Sequence, residues 1–294
     1  MKNFIFHILK YSGLTFLVRE IFQRNNVTIL LYHDISSENA ILHFSYLSKK
    51  YNIISLQDFI SAHYNNEVDK LPKKSLIITL DDGHKNNYNL LPVVKKLNIP
   101  ITIFLCSHII GTNRSFWFKH KSLPIKKLKK ISNKERLLFL EQEGYKQEME
   151  YKDNRMSLSL NEIIEMSEFV DFQSHSMFHP CLPYCTKKEA EVEIEGSKKN
   201  LENLFNFKIN SFAYPNGDYS DREIELLKKY NYLSGLSCDL WFNNQNTNIY
   251  KLKRLDCKDD ASIIELEAKV TGLFIFLKRF FLGKDFGYMK NSSI

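Results

Sequence analysis

At 294 residues, 44% hydrophobic and 13% aromatic, the chain holds enough apolar surface for a large core, which excludes a disordered linker or tail. A net charge of +7 invites a nucleic acid or an anionic membrane surface, and seven lysines between Lys119 and Lys134 concentrate much of it. No run approaches the roughly 20 apolar residues of a spanning helix, and the five cysteines (106, 181, 185, 238 and 257) form no evident disulfide framework, which fits a reducing compartment.

Residues 3–22 are patterned as an amphipathic helix, with Phe4, Ile8, Leu14, Leu17, Val18 and Ile21 near one side. The stretch lacks the clean apolar segment and small-residue cleavage site of a secretory signal. A short strand over 27–31 runs into Tyr32-His33-Asp34. A helix near 43–50 and a strand over 51–54 follow. Ser55-x-x-Asp58 then opens a helix near 56–64. The strand at 75–80 is branched and apolar on both faces, and a helix at 86–97 comes after it. The next buried strand covers 99–106, with Pro100 at its beginning.

Residues 107–158 break this rhythm and read as a basic excursion over one end of the fold, helical near 133–143. Capping boxes at Ser159/Glu162, Thr186/Glu189 and Ser220/Glu223 open helices at 160–168, 187–205 and 221–230. Strands at 170–174, 209–213, 232–236 and 250–255 alternate with them. Alternation of this kind predicts parallel βα units, a barrel or an open sheet, within one domain.

Two stretches carry the chemistry. The strand at 75–80 stops at Asp81-Asp82-Gly83, where two adjacent carboxylates repel unless a cation or proton relieves one of them. The strand at 170–174 stops at His175-Ser176-Met177-Phe178-His179-Pro180, whose two imidazoles can meet one ion across a short turn. In a parallel sheet both ends lie on one face, so Asp82, His175 and His179 can converge. Two His and one carboxylate leave positions open for water and substrate, as in a catalytic divalent site. Zn2+ is the default ion for that donor set, and another first-row ion also fits it.

Thr79-Leu80-Asp81-Asp82-Gly83 and His175-Ser176-x-x-His179-Pro180 resemble the first two motifs of the polysaccharide deacetylase family, carbohydrate esterase family four. Phe212-Ala213-Tyr214-Pro215-Asn216-Gly217 resembles the third, and the similarity runs over roughly 27–256. The early Leu31-Tyr32-His33 is similar to the branch that includes the poly-N-acetylglucosamine deacetylases. The resemblance implies an α/β fold, a distorted (β/α) barrel, and removal of acetyl groups from sugars. It implies Asp81 as general base, Asp82, His175 and His179 as metal ligands, and His33 as general acid. It also implies that the backbone N–H of Tyr214 helps hold the oxyanion. The arginine that many members carry in the third motif is missing; Arg254 is either its substitute or a surface residue.

Residue chemistry fits those roles. A carboxylate can take a proton from a cation-activated water, a backbone donor can stabilise an oxyanion, and an imidazole can protonate a leaving amine. The near rivals are O-deacetylation or deformylation, or a silent glycan-binding protein. Charge alone suggests a nucleic-acid binder, but no reading helix or stacking platform supports it, so no nucleic-acid partner is expected. The tail 262–283 is basic and aromatic, with Phe274, Phe276, Lys278, Arg279, Phe280 and Phe281. With the N-terminal stretch (1–24) it predicts a cytoplasmic enzyme resting on the inner membrane face and acting on an N-acetylated, lipid-linked sugar.

Overall fold

All named ladders of the sheet are parallel, and this one fact places the chemistry at one end of the protein. The structure, a computed structural model, describes residues 2–120, 123–152, 155–274 and 276. The strands are β1 (Thr28–Tyr32), β2 (Asn52–Ile53), β3 (Ser75–Leu80), β4 (Ile101–Leu105), β5 (Val170–Ser174), β6 (Ser211–Ala213), β7 (Ser234–Leu236) and β8 (Leu255–Asp256). Their order is β7-β6-β5-β4-β3-β1-β8, with β2 beside β3. This is the distorted (β/α) barrel that the motifs imply.

Side chains alternate between the two faces along each strand, and in β1, β3 and β4 both faces are buried. Leu76, Ile78 and Leu80 of β3 pack outward under the helices, with Leu30, Tyr32, Ile101, Ile103 and Leu105. Ile77 points the other way, into an inner core with Ile29, Phe104, Ala213 and Leu236, which Phe59 and Ile60 of helix Leu56–Tyr64 help to fill. The capping boxes predicted at Ser159, Thr186 and Ser220 are all formed; the helix start at Ser55 is also a capping box, and so is a fifth at Ser132/Glu135. All five cysteines are free and buried.

Three expectations need correction. The N-terminal helix is not continuous: Lys2–Tyr11 and Leu14–Leu17 are separated at Gly13, whose φ of 74° ends a helix turn. The first barrel helix runs Ser37–Ser48 rather than 43–50, because Ser36 Oγ accepts from Asn39 N and caps it early. The strand expected at 250–255 is reduced to Leu255–Asp256. Residues 252–256 must serve both edges of the sheet: Leu252 bridges Leu236 of β7, and Leu255 pairs with Leu30 of β1. The chain crosses from one edge to the other and cannot hold one register.

Helix Lys2–Tyr11 buries Phe6 and Leu9 against Ala268 and Leu273, beside helix Ile263–Val270. The rest of the predicted tail, at 275 and from 277 onward, lies outside the described residues, as does Lys121 of the lysine run. Among the described residues no helix is long and apolar enough to cross a membrane.

Candidate active site

Asp81 continues the alternation of β3 and shares the inward parity of Ile77 and Thr79. The next two residues leave the strand in the left-handed region, at φ 73° for Asp82 and 65° for Gly83. A Cβ on Gly83 would lie 2.5 Å from Leu105 Cδ2, so the turn needs glycine for space as well as for φ. The two carboxylates therefore point to different neighbours.

Asp82 meets three imidazoles. His84 Nε2 lies 3.1 Å from Asp82 Oδ2, while His175 Nε2 and His179 Nε2 each lie 3.5 Å from Oδ1. His175 Nδ1 is 2.8 Å from the Ala213 carbonyl, which can only accept, so Nδ1 carries a proton and Nε2 is the nitrogen that is bare in the neutral ring. A bare nitrogen facing a carboxylate oxygen at 3.5 Å is repulsive unless a cation or proton lies between them. Asp82 Oδ1 and His179 Nδ1 are buried without a hydrogen-bond partner among the described residues. The donor atoms of Asp82, His175 and His179 lie within 4.8 Å of one another, and separations of 3.5 Å suit bonds of about 2.0–2.1 Å to one tetrahedral ion. The donor set fits a divalent cation.

Burial alone would raise the Asp82 carboxyl; the His84 hydrogen bond and the nearby imidazoles outweigh it and hold it well below the ordinary range. Burial drives His179 down to about 3, so the ring is neutral and its lone pair is free. The loop that carries the imidazoles is not a helical turn. Ser176 and His179 are left-handed, at φ 68° and 59°. Glu193 Oε2 accepts from Met177 N at 2.8 Å and Phe178 N at 3.0 Å, and Trp117 Nε1 donates to the His179 carbonyl at 2.9 Å. Helix Lys187–Phe205 and the excursion thus fix the loop from two sides.

Asp81 is held by Arg254, whose Nη1 and Nη2 donate to Oδ1 and Oδ2 at 2.7 and 2.8 Å. The arginine is fully buried and donates from Nε to the Ser237 carbonyl at 2.9 Å. Arg254 is therefore no surface residue: it is buried and holds both oxygens of Asp81. Burial would raise the Asp81 carboxyl, but the charge and hydrogen bonds of Arg254 overcome this and lower it.

Both carboxylates, His175, His179 and His33 line one cavity of about 540 Å3. His33 follows β1 and is half-buried. Its backbone is pinned by Asp259 Oδ1, which accepts from His33 N at 3.2 Å, and by Asn87 Nδ2, which donates to its carbonyl at 2.9 Å. Phe118, Lys119, Ile125 and Lys129 of the excursion also line it.

Tyr214 does not fit its expected role. Its N–H donates to the Leu236 carbonyl at 3.0 Å within the β6–β7 ladder, and its hydroxyl donates to the Tyr250 carbonyl at 3.0 Å. The N–H is consumed by the sheet. Two residues on, Asn216 lines the cavity at φ 59°, and its N–H has no acceptor among the described residues. The signal for it was the Pro-Asn-Gly turn, since Asn tolerates the left-handed region. His84, Glu193 and Asp259 carried no signal of their own: each acts on a neighbour that only the fold supplies.

Comparison with known proteins agrees with this geometry. The family model described as polysaccharide deacetylase matches residues 68–234. The poly-beta-1,6-N-acetyl-D-glucosamine N-deacetylase of Staphylococcus aureus (strain MRSA252) is 23% identical over 263 residues, covering 82% of this chain and 81% of that protein. The Streptococcus pyogenes deacetylase PplD, solved in complex with acetate, has a TM-score of 0.63 at 19% identity, over 83% of this chain and 98% of that one. IcaB from Ammonifex degensii has a TM-score of 0.59 at 17% identity, over 84% and 97%.

Proposed function

The chain belongs to the polysaccharide deacetylase family, and from that premise we propose that it hydrolyses the N-acetyl group of an amino sugar in a surface glycan or its lipid-linked precursor. The observation that carries this reading is the meeting of Asp82, His175 and His179 beside the Asp81–Arg254 pair in one cavity. Asp82, His175 and His179 would hold a divalent cation, by default Zn2+. Once bound, such an ion polarises an acyl oxygen and makes water more acidic.

The residues supply the rest. Asp81 takes the proton of the attacking water; Arg254 occupies one lone pair on each of its oxygens and fixes the other toward the cavity. The Asn216 N–H donates to the oxygen of the acetyl group as charge develops there. His33 gives a proton to the departing amine. Incubating the metal-loaded protein with N-acetylated oligosaccharides is expected to remove acetyl mass by mass spectrometry, and Asp81→Asn is expected to slow this by about 10²–10⁴-fold. Undiminished activity in that variant would refute the assigned base. Replacing the Asn216 amide by an ester is expected to cost about 10²–10³-fold in kcat. An unchanged kcat would move the oxyanion donor elsewhere.

We also propose peripheral contact with the inner membrane face. Ile21 and Phe22 are 61% and 65% exposed, and Phe16, Leu17, Trp241 and Phe276 are exposed as well. Phe22, Trp241 and Phe276 line an apolar cavity of about 420 Å3 with Val18, Phe242 and Leu273. Free, buried cysteines support a reducing compartment. The protein is expected in the membrane fraction at low salt; recovery wholly in the supernatant would count against this contact.

A further inference from the structure

We propose that the substrate carries a phosphate joined to the acetylated sugar, as a glycosyl phosphate or diphosphate, and that Lys126, Lys129 and Lys130 bind it. This rests on the deacetylase reading and names its substrate class. The catalytic cavity has a neighbour, a cleft of about 770 Å3, and the two share Lys129, Asn216 and Gly217 as a common rim. A ligand with its acetyl group at Asp82 can therefore extend over Asn216 into the cleft. Lys126, Lys129 and Lys130 line its entrance, carried by the short helix Ile125–Leu128 and the residues after it.

Among the described residues the charge there is only partly neutralised. Lys251 has its own partner, Asp221, at 3.5 Å, and Asp239 accepts from the Tyr219 hydroxyl at 2.7 Å. Lys126, Lys129 and Lys130 form no ion pair with any acid among the described residues. Asp218 is the remaining carboxylate of the cleft; burial pushes it up to about 6, so near neutrality it offsets only one of the three lysine charges. Lys119, on the wall of the catalytic cavity, adds a fourth ammonium that has no acid partner among the described residues.

The reaction sharpens the argument. Hydrolysis of the amide consumes water, releases acetate and leaves a primary amine that takes a proton near neutral pH. A glycan deacetylated at many sugars becomes a polycation, which a lysine wall would repel. A phosphate next to the sugar reverses the sign, and compact ammonium groups suit a multiply charged oxyanion. Tyr184 and Tyr219 also line the cleft.

The test is calorimetric titration of the zinc-loaded full chain with N-acetylglucosamine, N-acetylglucosamine 1-phosphate, inorganic phosphate and vesicles of anionic phospholipid. The sugar phosphate is expected to bind at least about tenfold tighter than either the sugar or inorganic phosphate. The Lys126→Gln/Lys129→Gln/Lys130→Gln variant is expected to lose that preference. Lys126→Glu/Lys130→Glu, which alters only exposed positions, is expected to weaken sugar-phosphate binding further. Equal affinity for sugar and sugar phosphate, or a preference that survives all substitutions, overturns the proposal. So does inorganic phosphate binding as well as the sugar phosphate, which means an adventitious ion only. Vesicle binding that the lysine variant loses, without a sugar-phosphate preference, assigns these lysines to lipid headgroups and also overturns it. The deacetylase reading fails separately, if the wild type releases no acetate from any acetylated sugar.

Discussion

Arg254→Met is expected to lower the unfolding free energy by about 3–5 kcal/mol, measured by urea denaturation at pH 7 and equal zinc. The guanidinium is fully buried, and it contacts both oxygens of a carboxylate that is itself buried. Removing it strands the Asp81 charge in a low dielectric, where leaving one partner alone costs more than the pair contributes. The pH dependence has a defined sign. In the wild type the folded Asp81 carboxyl is lowered, so the pair stabilises the fold above the ordinary carboxylate pKa of about 3.9 and loses this as pH falls through the folded value. In Arg254→Met burial is unopposed by the guanidinium and the carboxyl rises. The deficit should then be largest near neutrality and shrink on acidification. Asp81→Asn/Arg254→Met should recover a large part of the loss, because neither charge remains. If Arg254→Met unfolds within about 1 kcal/mol of the wild type at pH 7, the arginine does not neutralise Asp81.

What the sequence makes legible follows the range of the forces involved. Strand β3 and helix Leu56–Tyr64 are readable to the residue, because an apolar run and a capping box are set by near neighbours. Asp82, His175 and His179 are readable as a group, because parallel pairing brings strand ends to one face whatever the loops do. Arg254 is not: its role depends on residues 252–256 crossing between sheet edges, which no local pattern encodes. Tyr214 and Asn216 show the same limit at smaller scale. Which of two nearby N–H groups stays free depends on where the β6–β7 ladder ends, and the ladder takes the first. The break at Gly13 was local, yet the apolar pattern ran through it and masked the φ that glycine allows.

Asp82→Ala is expected to lose on the order of 10³-fold in acetate release, since a Lewis acid contributes several kcal/mol and each ~1.4 kcal/mol is tenfold. The more decisive readout is thermal. A cation bound only by the folded protein stabilises it by about 2.7 kcal/mol at a hundred times its Kd. For a chain of this size that corresponds to roughly 5 °C or more in Tm. The wild type should show this rise when zinc is added to metal-stripped protein, and Asp82→Ala should not. Asp81→Asn separates the two carboxylates: it should keep the zinc-dependent rise while losing turnover, because Asp81 lies against Arg254 and not in the donor set. His175→Ala and His179→Ala should behave as Asp82→Ala does, and combining any two should add little, as expected for groups that act as one unit. If Asp82→Ala kept the full zinc-dependent rise, the ion would sit elsewhere. The bare His175 Nε2 facing Asp82 Oδ1 at 3.5 Å would then need a proton between them instead.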